Sequence, residues 1–280
     1  MFREHVYAKS DKGRELILSS LIRKVVIPIA KSRRSQSRSK KKKSSLKNKL
    51  INVLLALMLI VGLALVFNNQ IKNQIVKWMS NKNRIEHLSR KDIESNMEKD
   101  VSFDFDAVES LDFETVVKSR VYQDQLYVVG GIAIPDIGLN LPIYKGLSNY
   151  ALSAGAGTMK DGQQMGEGNY ALASHNMNDG SLLFAPLSNI PAPETKETLM
   201  YLTDLEYIYT YKVTMKKYVD PSQSQVIDDV EGKKMLTLVT CDFSGAERLI
   251  IQGEFVNKVS GKKATTAMTN AFNLETNTFK

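Results

Sequence analysis

The sequence predicts a mainly β domain, built as a small closed or nearly closed barrel, that follows a single transmembrane helix. Two observations support this fold class. Positions 50–67 hold eighteen consecutive uncharged and mostly apolar residues, enough helix to cross the hydrocarbon core of a bilayer. Downstream, short apolar segments recur at intervals of about 8 to 20 residues, too closely for alternating strand and helix units, and this spacing is typical of a small barrel.

The net positive charge of the chain comes from its amino-terminal segment. The formal net charge is +8, but residues 1–49 hold 16 Lys and Arg against 3 acidic residues, which leaves 22 against 27 downstream. An acidic domain repels phosphate, so the composition argues against nucleic-acid binding. We expect residues 1–49 to be a basic cytoplasmic tail, largely disordered because Ser, Lys and Arg bury little surface, with some contact to anionic lipid headgroups.

The apolar stretch at 50–67 is interpreted as an uncleaved signal anchor. A cleaved signal peptide has a shorter apolar stretch and a small-residue cleavage site, whereas this one continues as NNQIKNQIVKW. The basic run lies on its amino side, and positive charge stays inside the cell. We therefore expect a single-pass protein of the cell membrane with its amino terminus in the cytoplasm and its folded domain outside.

Beyond the anchor we expect three further regions. Residues 68–98 show apolar residues at helical spacing in a polar background, which indicates an extracellular helix and stalk. Residues 99–259 would form the barrel, and 260–280 a carboxy-terminal tail without a second apolar span. The expected strands are apolar, β-branched and punctuated by Gly and Pro, as in the segments YVVGGIAIPDIGLNLPIYKG, GNYALASH, TLMYLTDLEYIYTYKVTMKKYV, KKMLTLVTC and ERLIIQGEFV.

Cys241 is the only cysteine of the chain. A lone cysteine in an exported protein cannot form an internal disulfide, so it is buried and inert, paired between molecules, or reactive. Residues 235–240 have the composition of a strand and 242–247 that of a loop. Cys241 is thus expected at a strand end, where a side chain is both held and reachable, although a buried small hydrophobic residue remains an alternative.

A reactive thiol needs a proton-transfer partner and a donor that stabilises a negative oxygen. Of the three histidines, His5 lies in the tail and His87 in the stalk, which leaves His175 after a strand-like segment. Arg248 begins the next apolar segment, seven residues past the thiol, so a hairpin would bring it beside Cys241. Taken alone, His175 is equally consistent with an ordinary surface histidine and Arg248 with a routine strand-end charge.

These residues resemble a known family. The motif TLVTC with a nearby arginine, preceded by Ala-x-His on a strand, resembles the sortases, the membrane-anchored cysteine transpeptidases of Gram-positive bacteria. Across about 97–254, the motifs LPIYKG, GAGTM, GNYALASH, YLTD and VIDD are similar to class A members of the streptococcal and listerial type. The resemblance implies an eight-stranded sortase-type β-barrel with short helices, in which Cys241, His175 and Arg248 meet.

The resemblance also implies a reaction. Cys241 would attack the Thr-Gly bond of an LPXTG sorting signal on a secreted protein and form a thioacyl enzyme. His175, as imidazolium, would protonate the departing amine, and Arg248 would hold substrate carbonyls and stabilise the oxyanion. An amine of a cell-wall precursor, lipid II or peptidoglycan, would then resolve the thioester.

Further site residues follow from the same resemblance. Thr240 would help to shape the oxyanion site, and the loop 220–234 would close over the sorting signal. The residues expected around the groove for the Leu-Pro part of the signal are Ala173, Thr237, Val239, Val226 and Ile227. Barrel packing explains Val239 equally well. Asn176 departs from many relatives, which carry a second histidine there. The acidic residues match no calcium-binding pattern, so we expect no metal and no cofactor.

Two alternative functions remain at this stage. A pilin-polymerising sortase usually carries a carboxy-terminal membrane span and a lid before the barrel, and neither is found in the sequence. A membrane-tethered, non-catalytic binding module would keep Cys241 only as a relic. The relative positions of the thiol, imidazole and guanidinium distinguish an enzyme from a binding module, because a relic has no reason to keep the three groups together.

Overall fold

The computed structural model describes residues 46–105, 107–108, 111–122, 126–177 and 180–274. Eight strands close into a barrel in the order β1-β2-β3-β4-β7-β8-β6-β5, which confirms the predicted fold class. The strands are β1 Val128–Ile134, β2 Leu139–Tyr144, β3 Ala156–Thr158, β4 Asn169–Ala173, β5 Leu199–Thr203, β6 Tyr207–Val219, β7 Met235–Cys241 and β8 Arg248–Ser260.

Short helices surround the barrel. The α-helices are α1 Leu46–Val66, α2 Asn68–Lys82, α3 Arg90–Met97, α4 Phe113–Val121, α5 Asn149–Ala154 and α6 Thr266–Asn273. Single 3₁₀ turns occur at Ile85–His87, Pro135–Ile137, Ala185–Asn189, Ser224–Ile227 and Gly261–Lys263. The fourth of these lies between β6 and β7 and is called the 224–227 turn below.

The pairing of β4 with β7 determines where the strand ends meet. These two strands are parallel, whereas β7 and β8 are antiparallel neighbours. Parallel strands end at the same edge of a sheet. The residues that follow β4 and the last residue of β7 therefore lie at one end of the barrel, together with the first residue of β8.

Alternation along β7 separates two hydrophobic clusters. Leu236 and Leu238 are fully buried in the main core inside the barrel. Val239 instead belongs to a smaller cluster with Ala173 and Ile250. Successive side chains of a strand point to opposite faces, so one face of β7 fills the barrel and the other supports a separate apolar surface.

The anchor helix α1 is 21 residues long with a mean hydropathy of 2.5, which suits a membrane span by length and composition. It begins four residues before the predicted stretch, because Leu46 to Lys49 continue the same helix. The basic tail predicted for 1–49 otherwise lies outside the described residues.

The segment predicted as a stalk packs on the barrel. Val76 and Met79 of α2 and Ile93 of α3 are fully buried in the main core, and the Ser80 hydroxyl donates a 2.7 Å hydrogen bond to the carbonyl of Ala154. Residues three apart on a helix share a face, so Val76 and Met79 form an apolar stripe. The helical prediction holds, but the segment is part of the folded domain.

The predicted carboxy-terminal tail also contains packed structure. Ala271 and Phe272 of α6 are buried. The side-chain amide of Asn140, on β2, donates hydrogen bonds to the carbonyls of Phe272 and Leu274, at 2.9 and 2.6 Å. The end of α6 is thus fixed to the barrel wall.

Candidate active site

Cys241 and His175 lie at the same end of the barrel. Cys241 is the last residue of β7 and is half-buried, and His175 is the second residue after β4. In the parallel register Ala173 pairs with Val239. Both strands therefore run towards the same edge of the sheet and end there. The parallel pairing therefore brings together two residues that are 66 positions apart in the sequence.

Hydrogen bonds on both sides of His175 fix its backbone to β7. The Ser174 N–H donates to the carbonyl of Val239 at 3.2 Å, and the Thr240 hydroxyl donates to the carbonyl of Ser174 at 2.8 Å. On the other side, the Asn176 amide donates to the carbonyl of Cys241 at 2.9 Å. His175 is held between these contacts, next to the strand end that carries the thiol.

Arg248 lies directly opposite Cys241 in the antiparallel pair of β7 and β8. Residues opposite each other share a face, with Cβ atoms about 4.5–5.5 Å apart. The connecting loop is fixed by the carboxylate of Asp242, which accepts hydrogen bonds from Ser244 and from the Glu247 N–H, and these bonds lower the pKa of Asp242. The predicted hairpin return is therefore present and tight.

The guanidinium of Arg248 has one nitrogen engaged and one available. Its Nη1 donates to the carbonyls of Gly245 and Glu247, each at 3.2 Å. Its Nε is buried without a hydrogen-bond partner among the described residues, and so is Nε2 of His175. An unpaired buried polar atom costs about 1–3 kcal/mol, so each of these two nitrogens calls for an explanation.

Burial controls the charge of His175. Desolvation lowers its pKa from 6.5 to about 4, and the positive charge of Lys72 adds a smaller lowering. The imidazole is therefore neutral at pH 7 in the free protein, and the charged form requires a compensating negative charge or hydrogen bond nearby.

An apolar groove lies along the outer face of β7 and β8. Three cross-strand rows occupy this face, and they pair Cys241 with Arg248, Val239 with Ile250, and Thr237 with Gln252. The first row carries the thiol and the guanidinium, the second is apolar and the third is polar. The groove is a cavity of about 360 Å³ whose lining includes Val239, Arg248, Ile250, Val226 and Ile227, whereas Cys241, His175, Thr237 and Gln252 are not among its described lining residues.

The structure places four of the nine sequence-predicted site residues in the lining of this groove. Val226, Ile227, Val239 and Arg248 line the cavity, and Ala173 belongs to the apolar cluster of Val239. Thr237 is buried in the polar row, where its hydroxyl bonds to a neighbouring amide.

Thr240 is placed differently from the groove residues. It alternates with Cys241 and Val239, is buried, and its hydroxyl bonds to Ser174. Through that bond it contacts the His175 loop, and its predicted part in the oxyanion site stays a prediction.

Sequence reasoning missed several groove residues. Ile250 could have been found from the alternation on β8 that starts at Arg248. Phe103 also lines the cavity, but it precedes the barrel and carries no local sequence signal for that position.

Comparison with known proteins agrees with this geometry. A family profile described as "Sortase domain" matches residues 132–256. Sortase A of Streptococcus agalactiae serotype III (strain NEM316) is 42% identical over 231 residues, which cover 80% of this chain and 92% of that protein. The chain belongs to the sortase family. Sortase A of Listeria monocytogenes serovar 1/2a is 44% identical over 186 residues, 66% of this chain and 82% of that protein.

A solved structure of Listeria monocytogenes sortase A has 39% identity and a TM-score of 0.47, and it covers 52% of this chain and 96% of its own. The identity to the two sortase A proteins over most of the chain makes this protein a sortase A-type cysteine transpeptidase. Sortases are cysteine transpeptidases that act in cell-wall anchoring. The reading as a non-catalytic binding module is thereby set aside.

Proposed function

We propose that this sortase cleaves the Thr-Gly bond of LPXTG sorting signals and transfers the signal-bearing protein to an amine of a cell-wall precursor, lipid II or peptidoglycan. The observation that carries the proposal is the position of Cys241 directly opposite Arg248, which lines the apolar groove, with the His175 loop bonded to the same strand end.

Cys241 is the nucleophile of the proposed reaction. Its thiol proton passes to His175, and the sulfur bonds to the carbonyl carbon of the signal's Thr. The C–N bond to Gly then breaks as the imidazolium gives its proton to the departing amine. A second amine later attacks the thioester carbonyl, its proton passes through His175 to the departing sulfur, and the new amide leaves Cys241 as a thiol. Burial disfavours the imidazolium form of His175 before substrate binds.

Arg248 is proposed to stabilise the negative oxygen of the tetrahedral intermediate or to hold a substrate carbonyl. Its Nε–H is buried and has no partner among the described residues, while Nη1 is bonded to the preceding loop. The guanidinium is thus oriented before substrate arrives. Preorganised donors of this kind give the largest electrostatic contribution to acyl transfer.

The Leu-Pro part of the signal is proposed to bind the apolar row of the groove. Val239 and Ile250 supply the floor, and Val226 and Ile227 supply a wall. Ala173 is small, which keeps the floor accessible, and Thr240 would shape the oxyanion site by fixing the Ser174 carbonyl. Burying apolar side chains of the substrate here contributes about 25 cal/mol per Å².

Helix α1 is proposed to anchor the enzyme with the amino terminus in the cytoplasm and the catalytic domain outside. The basic run that precedes the helix supports this orientation. In this orientation the groove is on the side of the membrane where exported substrates and wall precursors are found.

The test is a transfer assay with the full chain in detergent micelles. A fluorogenic peptide containing LPXTG is offered with and without an amine acceptor, and wild-type protein is expected to cleave it after Thr and to form the amide with the acceptor. A peptide with the signal residues in scrambled order is the control. Cleavage retained by Cys241→Ala would rule out the nucleophile assignment.

A further inference from the structure

The main-chain carbonyl of Val226 accepts hydrogen bonds from two side-chain amides of the barrel. Asn169, the first residue of β4, donates from Nδ2 at 3.1 Å, and Gln252 of β8 donates from Nε2 at 3.0 Å. Val226 belongs to the 224–227 turn, and its side chain and that of Ile227 line the groove. Side chains from two strands of the barrel, β4 and β8, thus bind the backbone of the groove wall.

The two amides are joined through Thr237. Its hydroxyl donates to Oδ1 of Asn169 at 2.7 Å and accepts from Nε2 of Gln252 at 3.1 Å. Asn169 and Thr237 are 2% and 0% exposed, and Gln252 is half-buried. Polar groups buried this deeply require satisfied partners, and a satisfied network in a low dielectric is rigid.

Asn169 holds the chain just after the turn as well. Its Nδ2 also donates to the carbonyl of Asp228 at 3.1 Å, and its main-chain N–H donates to the carboxylate of Asp229 at 2.7 Å. That carboxylate is paired with Lys160 at 2.6 Å. Asn169 therefore fixes three residues of the connection between β6 and β7, namely Val226, Asp228 and Asp229.

We propose that Asn169 and Gln252 are positioning residues, which hold Val226 and Ile227 in the arrangement needed by the apolar residues of the sorting signal. Ordering a free loop on binding costs affinity, and a loop ordered beforehand avoids that cost. The inference rests on the proposed function in one respect, namely that Val226 and Ile227 contact the signal.

The position of the network excludes direct participation in the chemistry. Thr237 lies four residues before Cys241 on the same strand, which corresponds to about 13 Å along the groove. Loss of the amides should therefore weaken binding of the signal and leave the rate of the bound complex nearly unchanged.

A purely structural role is the competing explanation, and Asn140 is its matched control. Asn140 is also 2% exposed and also donates to two main-chain carbonyls, those of Phe272 and Leu274. Its partners lie at α6 and outside the groove lining. Asn140→Ala and Asn169→Ala should lower the melting temperature by similar amounts.

The test compares these variants in the full chain in micelles. Asn169→Ala is expected to raise KM for an LPXTG peptide about 10-fold with kcat within about 2-fold, and to weaken peptide binding equally in the inactive Cys241→Ala background. Asn140→Ala should change neither quantity. Gln252→Met, which keeps the side-chain volume, should reproduce the KM effect about 3- to 10-fold if Asn169→Ala does not fold.

Hydrogen exchange without substrate provides a second measurement. Peptides covering 224–229 should exchange faster in Asn169→Ala than in wild type or Asn140→Ala. A fall in kcat with KM unchanged, equal weakening by Asn140→Ala, or unchanged exchange would each overturn the positioning role. If wild type fails to bind or cleave the LPXTG peptide, the proposed substrate is wrong, whereas the exchange result still decides whether Asn169 holds the turn.

Discussion

The side-chain amide of Asn176 donates a 2.9 Å hydrogen bond to the main-chain carbonyl of Cys241. Together with the bond from Thr240 to Ser174, it fixes the residues on both sides of His175 to the strand end that carries the thiol. The residue that follows His175 thus has a side-chain donor that reaches the backbone of Cys241.

Asn176→Ala should lower kcat/KM about 10-fold, because the His175 loop loses one of its two side-chain contacts with β7. Steady-state cleavage of an LPXTG peptide measures the effect. Asn96→Ala is the matched control, since Asn96 is also half-buried and donates a 2.9 Å bond to a main-chain carbonyl, that of Val128. A value of kcat/KM within 2-fold of wild type would show that the bond does not position His175.

Arg248→Ala should slow acylation of Cys241 by about 10²- to 10³-fold, as expected for loss of one oxyanion donor. Arg248→Lys should be nearly as slow, because an ammonium lacks the planar set of donors that bonds the loop and the substrate together. Rapid-quench measurement of the thioacyl species gives the rate. Full activity in Arg248→Lys would contradict a geometric role for the guanidinium.

The imidazole of His175 should titrate well below its ordinary pKa of 6.5, near 4, because burial disfavours the charged form. The signal is followed by NMR and assigned by its absence in His175→Gln. Since the unfolded chain binds the proton more readily, this group's contribution to the free energy of unfolding is complete above about pH 6.5. It is lost as the pH falls through 4, by up to about 3 kcal/mol.

His175→Gln lacks this titrating group. As the pH falls from 6.5 to 4, the free energy of unfolding of wild type should therefore fall relative to that of the variant. Urea unfolding at several pH values measures it. A difference that is independent of pH would mean that His175 is not desolvated.

The position of α2 predicts where a soluble enzyme can begin. A chain starting at residue 68 keeps Val76 and Met79, whereas a chain starting at 81 loses both, along with the bond from Ser80 to Ala154. Each buried apolar side chain contributes about 1.5–3 kcal/mol, so the shorter chain should melt several degrees lower. Equal melting temperatures in thermal unfolding would show that α2 adds nothing to the domain.

Local sequence patterns were sufficient to predict the barrel and the first row of the groove. The β-branched segments predicted the strands, and a strand end before a short loop predicted the pairing of Cys241 with Arg248. Elimination among the three histidines singled out His175, but its place near Cys241 required the family resemblance. Only the parallel pairing of β4 with β7 brings it near, and parallel pairing over this separation has no local signature.

Other features depended on tertiary packing. The stripe of Val76 and Met79 has a helical period that is equally compatible with a stalk, and only burial shows that it packs on the barrel. The role of Asn169 was hidden for a similar reason. A single Asn at a strand start commonly reads as turn chemistry, whereas its partners here come from β7 and from a turn more than fifty residues later.

The central claim is that the sulfur of Cys241 carries the substrate covalently. Intact mass of the full chain, acid-quenched shortly after addition of an LPXTG peptide without an amine acceptor, tests it most directly. We predict a mass increase equal to the peptide fragment ending in Thr less one water, located on Cys241, removed by adding an amine and absent in Cys241→Ala. Cleavage of the peptide without any adduct on Cys241, or an adduct that persists in Cys241→Ala, would contradict it.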